Sequence, residues 1–598
     1  MAWPHPIGPA PVIAGRRRST VPVAGERDLR EDGEPRCPLR QGSPRFPLVE
    51  SMPLSLRPAA VLLRASNLAL VVLLAACAEH QALPSDPTGR LFARGLDEIT
   101  DLYIAPVSDR KLILAGASRL SRLDDKFSVT ESAAADSKTQ VILSYGGKEV
   151  AVYPMPADDE PHAWGALMGR LVANAEEVSP VVATLSEEQI DKALFDGITG
   201  ALDRFSRYAA PETARDQRAA RDGFGGIGIT LELSGGEFRI TQVTPGEPAE
   251  VAGIRPNDRL VAVDGVATAG RSQSDVVHAL RGPIFSPVEI TVYRPNPGQK
   301  RSFHLQRTLV ILPTVTMSQD GSIAVFQVAS FNQNTTQQIV EDLARVEREA
   351  DQRLRGIILD LRGNPGGLLD QAVSLADVFI PKGPIVATVG RHPASRQFFE
   401  ASGDSMAPQT PIVVLINGGS ASSSEIVAAA LQDLGRAVIV GSASYGKGTV
   451  QTVLRLPNDG ELTLTWAQLV TPSGYLLHEH GVIPTLCTSD LGDDDNSVQI
   501  ALQRTNAGGS LAPRPRASLD ESAWSQLRRA CPARQGDHAI DIKVAKRLLA
   551  DPTLFNQAVH ALSAAPKLAA APVTAPTAPT KPALTGAGGS LFSGPRHP

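Results

Sequence analysis

The chain has 598 residues, of which 42% are apolar and 20% charged, an ordinary mixture for a soluble globular protein. At roughly 150 residues per domain there is room for about four domains, each able to bury a core without a disulfide framework. The 58 basic and 63 acidic residues leave a net charge of −5, so no global basic field exists to hold nucleic acid, and the composition fits neither collagen nor a polytopic membrane protein.

Residues 1–51 are rich in Pro, Arg and Gly and carry no apolar period. They read as unstructured, or as an extension ahead of a start at Met52. Residues 52–76 then have the layout of an export signal: Arg57 and Arg64, an apolar run from Leu68 too short to span a bilayer, and small residues leading to Cys77. Leu74-Ala-Ala-Cys77 is similar to a bacterial lipobox, which implies a lipid on Cys77 and a place in the bacterial cell envelope, anchored on the periplasmic side. An ordinary secretory signal or a short buried helix is the competing reading. After processing, Cys487 and Cys531 remain; an export compartment would let them form a disulfide, and two buried thiols fit equally.

A linker over 77–89 leads into a helical region over 90–215, where Leu91, Leu96, Ile99, Leu102 and Tyr103 recur at helical spacing. Inside it, 125–185 reads as a mixed inserted segment with one strand, Val141–Tyr145. Residues 216–308 change to short alternating strands around a helix at Ser274–Arg281, a small β-rich module. From 309 to 490 strands and helices alternate. Ile323–Val328, Gly356–Leu361, Ile412–Ile416 and Ala437–Val440 are expected strands; 333–353, Leu368–Phe379 and Ser424–Leu434 are expected helices. That rhythm predicts a mainly parallel, helix-covered sheet. Residues 491–563 read as a C-terminal helical region, and 564–598 as a disordered Ala/Pro-rich tail. The expected fold class is multidomain α+β.

Three motifs fail on their context. Gly441-Ser-Ala-Ser-Tyr-Gly-Lys-Gly-Thr449 has nearly the letters of a phosphate-binding loop, but such a loop needs a helix next. Here Val450–Leu456 and Asn458-Asp-Gly460 read as a strand and a hairpin turn. Gly223-Phe-Gly-Gly-Ile-Gly228 resembles a dinucleotide fingerprint with helix and strand in reversed order. His478 and His480 share a face of an extended segment without a third ligand, so no metal is expected there.

One constellation survives. Strand 412–416 runs through Asn417-Gly-Gly into Ser420-Ala-Ser-Ser-Ser-Glu425 and a helix. Serines at a helix start are often caps. A Ser at a strand-to-helix corner also projects its hydroxyl beside the positive helix end, which suits a nucleophile and a developing oxyanion. The GxSxG pattern of an elbow is absent. Lys447, between Gly446 and Gly448, would lose solvation in such a site, fall in pKa and serve as base; the plain alternative is a surface Lys in a glycine turn.

Asn417–Ala428, Leu431-Gln-Asp433 and Tyr445–Gln451 closely resemble the carboxyl-terminal processing (tail-specific) protease family of serine endopeptidases. So do Leu359–Asp370, Thr471–Gly474, Gly481–Pro484 and Leu202–Tyr208. The resemblance covers about residues 187–490, and loosely 90–123. It implies an α/β Ser-Lys protease core with a PDZ module ahead of it, no cofactor, and protein or peptide substrates with free apolar C-termini. By position it puts the nucleophile on Ser422, the base on Lys447 and the residue orienting that base on Gln451. Asp433 matches an Asp that some members need, or is a plain helix-end residue. The oxyanion donors would be the N–H of Ser423, where the family usually has Ala, and one from Gly366 or Gly367. In the module, Gly226-Ile227-Gly228-Ile229 corresponds to the carboxylate-binding loop of a PDZ domain. Val276, Val277 and Leu280 would line the pocket for the last side chain, or simply pack the core. Arg281 matches a position linking docking to catalytic alignment, or is a solvated helix end. An adaptor protein and a homo-oligomer are compatible with the resemblance. The alternative function is a catalytically idle peptide-binding scaffold; Ser422, Lys447 and Gln451 occurring together speak against it.

Overall fold

The computed structural model describes residues 86–133, 139–349, 354–506 and 518–563. The signal segment, Cys77 and the 564–598 tail lie outside the described residues.

The helical region opens with Pro87–Leu102, where Pro sits in the first turn and the Asp86 side chain caps the Gly89 N–H. Leu91, Phe92, Leu96 and Ile99 line one face at helical spacing and are buried. They pack with Trp164 and Leu171 of the helix Pro161–Val178 and with Phe195 of the helix Glu187–Gly200. The inserted segment holds three antiparallel strands where one was expected: Phe127–Ala133, Thr139–Tyr145 and Lys148–Pro154. Phe127–Ala133 is rich in Ser, Thr and Glu, and no residue of Lys148–Pro154 is fully buried, so neither shows a clear buried alternation.

The β-rich module is a five-strand antiparallel path in the order Gln299–Gln306, Pro287–Arg294, Arg259–Val263, Glu237–Val243, Ile229–Ser234, with the helix Gln273–Leu280 against it. Ile229–Ser234 is an edge strand. A buried ion pair braces the module: Arg294 Nε and Nη2 donate to the two Asp258 carboxylate oxygens at 2.8 and 2.6 Å. The entry strand Phe224–Gly226 pairs with the exit strand Thr308–Val310, which closes the module at its junction with the core.

The core sheet runs Val315–Asp320, Ile323–Val328, Gly356–Asp360, Ile412–Ile416, Val438–Gly441, Leu486–Cys487; its first pair is antiparallel and the rest parallel. Alternate residues face opposite layers. Ile357, Leu359, Ile412, Val414 and Ile439 meet the helices Thr335–Glu349, Leu369–Phe379 and Ser423–Asp433. Ile358, Val413, Leu415, Val438 and Val440 meet Ala539–Ala550 and Pro552–Ser563 from the C-terminal region. Both faces are therefore apolar, which explains why these strands read as continuous apolar runs. Cys487 and Cys531 form a disulfide that ties the end of the helix Glu521–Ala530 to the last strand. A second, antiparallel sheet was not expected as such: Gln397–Glu400, Pro384–Val389, Glu461–Val470, Thr449–Arg455, with Arg207–Ala209 added from the helical region. Thr449–Arg455 and Glu461–Val470 are the hairpin that excludes a phosphate-binding loop at 441–449.

Candidate active site

Strand Ile412–Ile416 ends at a tight corner and the helix Ser423–Asp433 begins. Asn417 organises the corner: its Oδ1 accepts the N–H groups of Gly363 and Gly419, both at 2.9 Å. Ser420 Oγ donates to the Leu361 carbonyl at 2.7 Å. At the apex Ser422 has φ 55° and ψ −112°, a strained conformation for a residue with a Cβ. This is elbow geometry without the GxSxG letters.

The loop after strand Gly356–Asp360 lies against that apex. A Cβ on Gly366 would meet Ser422 Cβ at 2.9 Å and Ser423 N at 3.0 Å, so the position admits only glycine. Buried Asn364 ties loop and corner together: its carbonyl accepts Ala421 N–H at 3.0 Å and Ser424 Oγ at 2.9 Å. Gly366 N–H is already taken by Asn364 Oδ1 at 2.8 Å. The N–H groups of Ser423 and Gly367 have no acceptor among the described residues. Of the expected oxyanion donors, Ser423 and Gly367 are thus the two left open. Ser423 also acts through its side chain, donating from Oγ to the Gly367 carbonyl at 3.0 Å, a contact an Ala could not make.

Lys447 is brought to this corner by Glu425, a residue the sequence shows only as part of the serine motif. Glu425 is fully buried. Its Oε2 accepts Ser422 N–H at 2.7 Å and Lys447 N–H at 2.9 Å. Its Oε1 accepts Gly446 N–H at 2.7 Å and the Ser444 hydroxyl. Burial pushes its pKa up against the pull of these four donors. Gly448 admits the neighbouring segment closely, since a Cβ there would lie 1.9 Å from His478 N. Lys447 is half-buried, and burial, reinforced by the Arg207 guanidinium, holds its pKa below the usual lysine value, against the opposing charges of Glu425 and Asp203. Its Nζ lies 5.3 Å from the centroid of the Phe205 ring and makes no hydrogen bond to Ser422 or Gln451 among the described residues.

Gln451 Nε2 donates to Thr449 Oγ1 at 2.9 Å and Thr465 Oγ1 at 3.4 Å. Asp433 lies at the far end of the helix that Ser422 opens, where Oδ2 accepts Ser473 N–H at 3.0 Å and Ser473 Oγ at 2.7 Å. The structure does not bring it to Ser422. His480 docks the helix Glu521–Ala530, stacking on Trp524 and meeting Glu521 at 3.0 Å. His478 stands edge-on to Phe205, its pKa lowered by burial.

In the β-rich module, the N–H groups of Ile227 and Gly228 have no acceptor among the described residues, although both residues are buried. Two adjacent open donors beside an edge strand suit a carboxylate at the end of an added strand. Val276 and Leu280 belong to the module's core. Val277 is half-buried and lines a cavity of about 260 Å³ with Arg281 and the helix Pro211–Asp222. Arg281 is paired with Asp216 at 2.8 Å and covers the Phe224 ring at 4.2 Å. It faces the helix ahead of the module, not Lys447.

Residues 322–487 match the profile of peptidase family S41, and residues 239–294 that of a PDZ domain. A carboxy-terminal-processing protease of Bartonella bacilliformis is 36% identical over 52% of this chain and 72% of its own. A protein of Staphylococcus aureus named "Probable CtpA-like serine protease" is 30% identical over 57% of this chain and 72% of its own. Among solved structures, a photosystem II D1 C-terminal processing protease aligns at 24% identity over 67% of this chain and 92% of its own, with a TM-score of 0.33. The corner at Ser422, the PDZ module before it and these relatives have one common meaning: the chain belongs to the carboxy-terminal-processing proteases, serine peptidases of family S41.

Proposed function

We propose that this peptidase is exported and lipid-anchored, and cuts proteins near their C-termini by a Ser-Lys mechanism. The observation that carries the mechanism is the strained Ser422 corner, with the open N–H groups of Ser423 and Gly367 beside it and Lys447 tied to it through Glu425. Ser422 Oγ attacks the peptide carbonyl while neutral Lys447 takes its proton. The two N–H groups receive the oxyanion. The Lys447 ammonium then protonates the leaving amine, and water hydrolyses the acyl-enzyme with Lys447 again as base. Gln451 orients the lysine once Nζ turns towards Ser422. The PDZ module holds the substrate's free C-terminus, its carboxylate on the Ile227 and Gly228 N–H groups and its backbone paired with strand Ile229–Ser234. The lipobox-like Leu74–Cys77 motivates the anchor and the periplasmic site of action.

The test is labelling by a serine-reactive probe together with cleavage of an apolar-tailed peptide. Ser422→Ala should abolish both, and Lys447→Ala should lower turnover by about 10⁴ or more. Near-normal turnover of Lys447→Ala at neutral pH would refute the Ser-Lys assignment. A wild-type chain that binds tailed peptides but neither cuts nor labels would leave the idle scaffold.

A further inference from the structure

The Leu202–Tyr208 motif has no role in the mechanism so far. Its loop joins the helix Glu187–Gly200 to the short strand Arg207–Ala209, which extends the second sheet beside Glu461–Thr463. Asp203 fixes the loop. Its Oδ1 accepts Phe205 N–H at 2.7 Å, Ser206 N–H at 2.9 Å and Thr465 Oγ1 at 3.2 Å, and its Oδ2 accepts Ser206 Oγ at 3.1 Å. Thr465 in turn accepts from Gln451. One circuit therefore runs from Gln451 through Thr465 and Asp203 to Phe205, and from the Phe205 ring to Lys447 Nζ.

We propose that Phe205 is a positioning residue for the catalytic base: its ring shields Lys447 Nζ from water and fixes where the amine rests before it turns to Ser422. The proposal rests on the Ser-Lys reading. Among the described residues Lys447 Nζ, half-buried, has no hydrogen-bond partner, so another group must define its place, and the Phe205 ring face lies against it. The Arg204 guanidinium lies 4.7 Å from the ring centroid, and the His478 ring meets it edge-on at 6.1 Å. The charged groups that act on Lys447 are Arg207 and Asp203 from the loop and strand and Glu425 from the helix; Arg204 and His478 contact the ring itself.

The ring acts on the amine in two opposed ways. Excluding water disfavours the ammonium, and the π face attracts it. Burial is the largest of the influences on the Lys447 pKa and lowers it, and the proposal is that the ring acts chiefly through this exclusion of water. The experiment is the pH profile of kcat/KM for one tailed peptide with Phe205→Ala, Phe205→Leu and Phe205→Tyr, thermal unfolding checking that each is folded. In Phe205→Ala the rising limb should move up by about one pH unit, which is about a tenfold loss at neutral pH. Phe205→Leu keeps the apolar cover and loses the π face, so its limb should stay near the wild-type position or fall below it. Phe205→Tyr should restore the wild-type profile. A folded Phe205→Ala enzyme whose limb has not moved, or one slowed equally at every pH, would overturn the proposal. If Phe205→Ala does not fold, a Phe205→Leu limb raised as far as one unit would overturn it, because cover alone would not be what matters. Full activity of Lys447→Ala would instead overturn the Ser-Lys reading, and this inference with it.

Discussion

Glu425→Gln is the substitution the geometry judges most sharply. The four groups on this carboxylate all donate, so each oxygen of a replacement amide matters. On the Oε2 side both partners are backbone N–H groups, which cannot accept from an NH2. On the Oε1 side Ser444 can turn its hydroxyl and accept. Gln will therefore place its NH2 there and leave one donor, Gly446 N–H, facing it. A buried donor left unpaired costs about 1–3 kcal/mol, and the other backbone bonds lose their charge assistance. Removing a buried charge offsets part of that, since burial opposes the ionised form. A net loss of about 2 kcal/mol follows, or about 4–8 °C in Tm for a domain of this size. Activity should suffer more than stability. Gly446 precedes Lys447, and an error of about 1 Å in a catalytic group costs on the order of 10² in rate. The assay is thermal unfolding by circular dichroism alongside kcat on an apolar-tailed peptide. A lowered Tm with wild-type kcat would mean that Glu425 only stabilises the fold and does not align Lys447. Wild-type values for both would refute the hydrogen-bond arithmetic itself.

Amidating the C-terminus of a substrate peptide removes the charge that the open Ile227 and Gly228 N–H groups would receive. Its kcat/KM should fall at least about tenfold against the free acid, and equal values would remove C-terminal reading from the mechanism. The lowered pKa of Lys447 sets a sign: the base is active above its own pKa, so the rising limb of kcat/KM should lie below lysine's ordinary 10.5, and Arg207→Gln should move it upward by taking away a neighbouring cation. An Arg207→Gln limb that moves down would contradict this. Cys77→Ser should release the protein from membranes in detergent partitioning; unchanged membrane association would exclude the lipid on Cys77.

The parts most legible in the sequence are those where one local pattern fixes the physics. Gly356–Asp360 and Ile412–Ile416 are buried on both faces, so apolar runs mark them directly. The corner at Ser422 shows as a strand, two glycines and a run of serines. What stayed hidden depends on contacts between distant segments. Pro384–Val389 and Gln397–Glu400 become strands by pairing with each other, and the first also with Glu461–Val470. Glu425 looks like an ordinary capping-box residue, a Glu three positions after a Ser. Only the fold reveals that it also receives Gly446 and Lys447 from across the sheet edge. Val276 and Leu280 have the spacing of a pocket lining and of a core alike, and the packing places them in the core. The Cys487–Cys531 bridge needed a distance, which no spacing supplies; the two Cα atoms are 5.9 Å apart.

The resting position of Lys447 then has a simple energetic reading. Its backbone N–H and that of Ser422 share the Glu425 carboxylate. In the proposed Ser-Lys mechanism the side chain has to turn away from the Phe205 ring. That contact is worth about 0.5–2 kcal/mol when the amine is charged and little when it is neutral. Losing the proton, which burial favours, therefore also weakens the hold of Phe205 on the amine. Under the proposed mechanism, the form of Lys447 that would accept the Ser422 proton is thus the form the ring holds least. The PDZ module would then act by delivering the substrate backbone, whose carbonyl would meet Ser422 and the open N–H groups of Ser423 and Gly367.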